Sequence, residues 1–430
     1  MQKQYRRNVF SNSGANAIGS ILQLAALAII SQLLDTAVYA NYLVATAIVG
    51  VAEIGSDFGT RIWAAKKFAL SQTPASVLTR ALLGKLCYSI CTVILLASIL
   101  IQDFGLVETL LCAAIAMTQP STDPFLWYLR GIERLDIEAV MVLLVRVVVA
   151  VTITVLALMG HGLMVILLGW LLCNLARIVI ESRLAALQPL FHQHEEGSCS
   201  SLAQLKEVLL ATLPLGGSLL SMSLFHRFGI LLLNMVGTPA DVALFGTGYK
   251  FVSAASFVAT SIGVSLFPRL VRAVECQDAA GTNGVIKSEI MAVTAFFGPA
   301  CVVGILVLPA LCQWLYSGDL SSTGWIMVVL MPGLYMSSIN IGTKFTLNVM
   351  SLNWYDTASV LIGLATFSAV FFLVVGMPIS YRTAVAWVAG EAMMFTVKVV
   401  VLRLMRRDID LHVPVVATTF AVLVLTAAMR

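Results

Sequence analysis

Residues 138–159 read EAVMVLLVRVVVAVTITVLALM, and their only charges are Glu138 at the start and Arg146 near the middle. A bilayer core about 30 Å thick is crossed by ~20 residues of α-helix rising ~1.5 Å each. The run is long enough for that crossing and far too long for a strand. A charge at the bilayer centre costs ~2.5–3.5 kcal/mol on insertion scales. Arg146 is therefore expected to face other helices or a watery cavity.

The rest of the chain repeats this pattern. Of its 430 residues 59% are hydrophobic and 11% charged, against about 25% charged in a soluble domain. Mean hydropathy is +0.94. No soluble core of this size hides so much apolar surface, so the surrounding solvent is lipid. Spans are expected at 9–33, 38–60, 81–101, 106–128, 138–159, 162–182, 207–235, 241–267, 287–308, 324–347, 356–376 and 383–402, with a further one at 413–429. The basic start MQKQYRR leads into a run with no small-residue cleavage site, so the first run is expected to remain as a span. With the N-terminus cytoplasmic, most of the 26 lysines and arginines fall at cytoplasmic ends, among them Arg6, Arg7, Lys66, Lys67, Arg130, Arg134 and Arg407.

The longest polar interruption contains HQHEEGSCSS and divides the spans evenly. The expected fold is all-α and polytopic: a six-helix lobe at 1–190, a cytoplasmic loop at 191–206, a second six-helix lobe at 207–406, and an additional span within 407–430. An even number of spans per lobe makes the lobes parallel repeats about a pseudo-two-fold along the membrane normal. Residues 36–45, TAVYANYLVA, echo 239–248, PADVALFGTG, with Ala37/Ala240, Ala40/Ala243 and Tyr42/Phe245 in register.

Charges within spans are functional candidates by default. Arg146, Arg177, Arg227 and Lys250 are the basic ones assigned to binding, and Glu53 and Glu391 are acids available for coupling or charge balance. Asp57 and Arg61 are four residues apart and read as a local pair at a helix end near the headgroups. Lys344 and Lys398 lie near cytoplasmic ends and read as interfacial anchors. Basic groups outnumber acidic ones, so a cavity formed by both lobes is expected to be cationic and to suit a phosphate or pyrophosphate. Pro120, Pro124, Pro214, Pro299, Pro309 and Pro332 interrupt or edge the runs and permit bending.

Catalysis finds little support in the sequence. The eight cysteines include no CxxC pair, and there is no GxSxG, HExxH, Walker sequence or acidic metal cluster. No cofactor, metal, catalytic residue or nucleic-acid partner is expected. A membrane-embedded polymerase would ordinarily carry catalytic residues on a large external loop, and the external loops here are a few residues long.

Three segments resemble the polysaccharide flippases of the multidrug/oligosaccharidyl-lipid/polysaccharide exporter superfamily. The first is the basic start with its Asn/Gly-containing first span and a second span closing in Asp57-Phe58-Gly59. The second is PFLWYLRGIERLDIEA at 124–139. The third is LPLGGSLLSMSL at 213–224, followed by a second span ending in Phe267-Pro268. The resemblance implies two six-helix lobes about a cavity open to alternate sides of a bacterial inner membrane. It implies flipping of undecaprenyl-pyrophosphate-linked oligosaccharide repeat units for lipopolysaccharide O-antigen, capsule or exopolysaccharide, driven by an ion gradient. It also implies membrane lipids, a polysaccharide polymerase and chain-length machinery as partners. The rival within the superfamily is a cation-coupled multidrug exporter, which calls for a more acidic cavity.

Overall fold

The computed structural model describes residues 2–70, 74–100, 105–131, 135–186, 202–316 and 318–405. Most of the expected inter-lobe loop 191–206 and all of the expected segment 407–430 lie outside the described residues.

All regular structure among the described residues is helical: α1 (Gln2–Leu33), α2 (Thr36–Asp57), α3 (Thr60–Leu70), α4 (Pro74–Leu100), α5 (Leu106–Gly131), α6 (Leu135–Leu158), α7 (Leu163–Ala186), α8 (Leu202–Val236), α9 (Pro239–Glu275), α10 (Ala279–Leu315), α11 (Thr323–Val349), α12 (Asn353–Leu373) and α13 (Ile379–Met405). A short 3-10 turn, Gly318–Ser322, precedes α11. Among these residues nine helical stretches are long and apolar enough to cross a membrane, and two shorter apolar ones, Ile18–Leu33 and Leu106–Thr118, join them. The protein is a multi-pass membrane protein. Its outward residues are large and apolar, as lipid requires: Leu144, Val148, Ile180, Trp314 and Leu373 are all exposed.

The chain forms two compact units, Met1–Arg227 and Phe228–Arg430. In the first, α1 packs along α6, α5 along α7, and α2 against α4 and α5. In the second, α11 is the central helix, flanked by α9, α10 and α13, and α12 packs on α13. Almost every residue of α11 from Thr323 to Leu347 is buried. The hydroxyls of Ser338, Thr343 and Thr346 return to its own backbone, with Ser338 Oγ donating to Leu334 O at 2.7 Å, so burial leaves these three satisfied.

The expected second span breaks. After Asp57 the chain enters the left-handed region at Phe58 (φ 37) and Gly59 (φ 81), and α3 starts anew at Thr60. Asp57 Oδ1 then accepts from Thr60 Oγ1 and from the Arg61 amide, both at 3.2 Å, and so caps the new helix. Phe58 is held by packing: its ring lies on Gly216 of α8 and 4.6 Å from the Tyr88 ring. Gly59 faces the Gly216 amide so closely that a Cβ there would sit 3.2 Å from the nitrogen.

Candidate functional site

Polar chemistry in the first unit gathers on one turn of α2, where Gly50 and Glu53 are three residues apart and share a face. Arg227 of α8 lays its guanidinium across Gly50, and a Cβ at Gly50 would meet Arg227 Cζ at 2.7 Å. Only glycine leaves that space. Ser223, one turn earlier on α8, receives Arg227 Nη1 at 3.0 Å on its Oγ and donates to Gly50 O at 3.3 Å. A main-chain carbonyl, a serine and a notch thus fix the guanidinium.

Arg146 of α6 is held in the same manner. Its side chain crosses Gly19 of α1, where a Cβ would lie 2.7 Å from Arg146 Cδ. The Glu53 carboxylate interacts electrostatically with it. Arg146, Arg227 and Glu53 are all half-buried. Four helices therefore bring two guanidiniums and one carboxylate to the Gly50–Glu53 turn. The excess positive charge is partly desolvated, a setting in which a guanidinium fork binds phosphate oxygens well.

Arg177 is not with them. Its Nε donates to Glu181 Oε1 at 2.7 Å within α7, and Arg177 borders an apolar groove lined by Leu144, Val148, Cys173 and Ile180. Val145 and Val149 turn the same side of α6 toward that groove, which puts Arg177 opposite the side that carries Arg146. A single hollow holding Arg146, Arg177 and Arg227 is thereby corrected: Glu181, at the i+4 position, claims Arg177 locally. Lys250 lies half-buried on α9 in the second unit.

Asp57 and Arg61 lie together, Arg61 Nε 3.8 Å from Asp57 Oδ2. The pair is not a surface feature, because Asp57 is 2% exposed and also faces Lys85 Nζ of α4 at 3.8 Å.

The second unit holds a sealed network. Lys398 Nζ is 2.8 Å from Asp356 Oδ1, and Asn340 Nδ2 donates to Glu391 Oε2 at 2.7 Å. Asp356, Asn340, Glu391 and Lys398 are all 0% exposed. The expectation that Lys398 anchors at an interface is overturned, since helices cover it on every side. Glu289 of α10 is a further buried acid, its carboxylate pressed on Gly342. Spans therefore hold more acids than the Glu53, Asp57 and Glu391 read from sequence. Among the described residues no group of three or more His, Cys, Asp or Glu side chains is arranged to hold a metal ion.

A family model described as polysaccharide biosynthesis protein matches residues 5–274, well over half of the chain. The chain belongs to the polysaccharide biosynthesis protein family. The match covers the first unit from residue 5 onward, and with it Arg146, Glu53 and Arg227. Solved structures supply the fold of this family member across nearly its full length. A Vibrio cholerae MATE transporter, VcmN, in a mutant form, superposes with TM-score 0.63 at 16% identity, covering 95% of this chain and 100% of that one. An inward-facing multidrug resistance MATE transporter of the MOP superfamily gives 0.66 at 14%, covering 92% and 94%. The eukaryotic MATE transporter AtDTX14 gives 0.59 at 12%, covering 97% and 98%. A search of curated proteins finds no match. At 12–16% identity these likenesses show the fold of this polysaccharide biosynthesis protein.

Proposed function

We propose that the protein flips an undecaprenyl-pyrophosphate-linked oligosaccharide across a bacterial inner membrane, from the cytoplasmic to the external leaflet, coupled to an ion gradient. The N-terminus is cytoplasmic in this reading, as the bias of lysine and arginine indicates. The observation that carries the reading is the pair of glycine-seated arginines, Arg146 acted on by Glu53 and Arg227 lying across Gly50, three residues before Glu53 on α2. A pyrophosphate bears several acceptor oxygens and at least two negative charges, and two guanidiniums with one carboxylate leave a net positive charge to meet it. Glu53 keeps Arg146 compensated when cargo is absent, and a proton on Glu53 would free that arginine for an anion. The flipped unit would then pass to a polymerase and chain-length machinery.

The test is reconstitution into proteoliposomes with a fluorescent polyprenyl-pyrophosphate oligosaccharide in the inner leaflet, read by its exposure to an external quencher. Wild-type protein should accelerate exposure, and Arg227→Ala and Arg146→Ala at normal insertion should not. Equal rates for wild type and both variants would sink the anionic-cargo reading.

A multidrug exporter of the same superfamily fits the comparisons equally well. Glu289, buried in the second unit outside the Lys398–Asp356 network, favours it by offering an acid to a cation. Extrusion of a cationic dye by the same proteoliposomes, with no lipid flipping, would select it.

A further inference from the structure

Two helix faces meet in the second unit. On α11, Ser337, Asn340 and Lys344 are three and four residues apart and share one side; on α13, Glu391 and Lys398 are seven apart and share another. Asn340 Nδ2 bridges the two faces, donating to Glu391 Oε2 at 2.7 Å and to Glu391 O at 3.0 Å. Ser337 hydrogen-bonds the same carboxylate. Two turns beyond Glu391 on α13, Lys398 Nζ sits 2.8 Å from Asp356 Oδ1 of α12 and donates to Asn340 O at 3.4 Å. The charges of Asp356 and Lys398 both act on Lys344.

Without the ammonium, what surrounds that point is a carboxylate oxygen from α12 and a main-chain carbonyl oxygen from α11. Hard oxygen donors carrying one negative charge are the ligand type that suits a small cation. The charges of the cluster already balance, with Lys344 and Lys398 against Asp356 and Glu391. A metal ion added there would leave one buried positive charge uncompensated, which is costly in a sealed interior. The ammonium of Lys398 is tied to α13 by its own side chain and cannot leave with a cargo.

We propose that Lys398 is a resident cation, filling an oxygen-lined site of Asp356 and Asn340 that would otherwise take an alkali metal ion. Lys344 completes the charge balance, and the network therefore needs neither sodium nor potassium. Any ion this cluster exchanges is a proton. The inference concerns the second unit alone and stands whatever the cargo is.

The test uses the full-length protein in lipid nanodiscs, with Tm measured in NaCl, KCl and choline chloride at equal ionic strength. The wild type should melt at the same temperature in all three. In a Lys344→Met/Lys398→Ser variant neither lysine can compensate the acids. Its Tm should be lowest in choline and should rise with the logarithm of sodium or potassium concentration, as binding to the folded state requires. A wild-type Tm raised by sodium or potassium over choline overturns the proposal, and so does a variant that folds with one Tm in all three salts. If that variant does not fold, Asp356→Asn is added to it. Recovery of a cooperative transition with no cation response supports the charge role of the lysines, and continued failure to fold overturns it.

Discussion

Replacing Gly50 by alanine separates the proposed cargo site from the stability of the fold. A Cβ at position 50 would lie 2.7 Å from Arg227 Cζ, whereas comfortable carbon contacts are ~3.5–4.0 Å. The guanidinium must withdraw by about 1 Å. It is the far end of a flexible side chain, so the backbone need not move. Withdrawal strains or breaks the 3.0 Å bond from Nη1 to Ser223 Oγ. A hydrogen bond from a charged group contributes ~1.5–3 kcal/mol, while alanine in place of glycine in a helix interior returns ~0.5–1 kcal/mol. Net stability should fall by ~0.5–2.5 kcal/mol, and Tm by only a few degrees. Flipping should suffer far more, because an error of ~1 Å in a positioning group can cost ~100-fold. The assay is quencher exposure of a polyprenyl-pyrophosphate oligosaccharide in proteoliposomes, beside a melting curve of the same preparation. A ten- to hundred-fold slower rate with nearly unchanged Tm is expected, on the order set by that positioning cost. Wild-type flipping by Gly50→Ala would refute the seat of Arg227 as part of the machinery.

Arg177→Ala should behave in the opposite way: it strands the buried Glu181, so thermal melting should show a loss of ~3–5 kcal/mol at most, while flipping by the folded fraction stays at the wild-type rate. Glu53→Gln removes the carboxylate that balances Arg146; lipid flipping should persist but lose its response to an imposed proton gradient, and an unchanged response in vesicles would count against coupling through Glu53. Gly59→Ala puts a side chain at φ 81 and against the Gly216 amide, so it should cost ~1–3 kcal/mol, seen as a lower Tm that Thr60→Ala alone does not reproduce. Asp57→Asn weakens contacts to both Lys85 and Arg61, and hydrogen exchange should show α3 opening before α2.

Helical class and span positions were legible because an apolar run of ~20 residues has one physical solution in lipid. Every expected span from 9–33 to 383–402 lies mostly on a helix. The break in the second was marked by Asp57-Phe58-Gly59, but the left-handed state of Phe58 was not, since it depends on Gly216 and Tyr88 from distant segments. Arg177 carried its own answer in ARIVIE, where Glu181 stands four residues on. Lys398 misled because snorkelling is the usual fate of a lysine near a helix end. What overrides it is tertiary: Asp356, in the first turn of α12, is folded back against α13. A signal was present in the seven-residue spacing of Glu391 and Lys398, and in Asn340 four residues before Lys344. The glycine seats had none, for Gly19 and Gly50 look in sequence like ordinary helix-packing glycines.

The two units use buried charge in different ways. In the second, Asp356, Glu391 and Lys398 are fully enclosed and already matched, 2.8 Å separating the tightest pair. Breaking such a pair is expensive, so it ties α11, α12 and α13 into one rigid body and has nothing left over for a ligand. In the first, Arg146 and Arg227 are only half-buried. Partial exposure lowers the desolvation still to be met when an anion arrives, and the glycine seats remove most of the side-chain freedom that binding would otherwise have to freeze. A fork held in place and half-exposed is a binding group; a lysine sealed against its aspartate is a rivet. It follows that added salt should weaken cargo capture at the half-exposed arginines, by screening, while leaving the melting of the second unit's network nearly untouched.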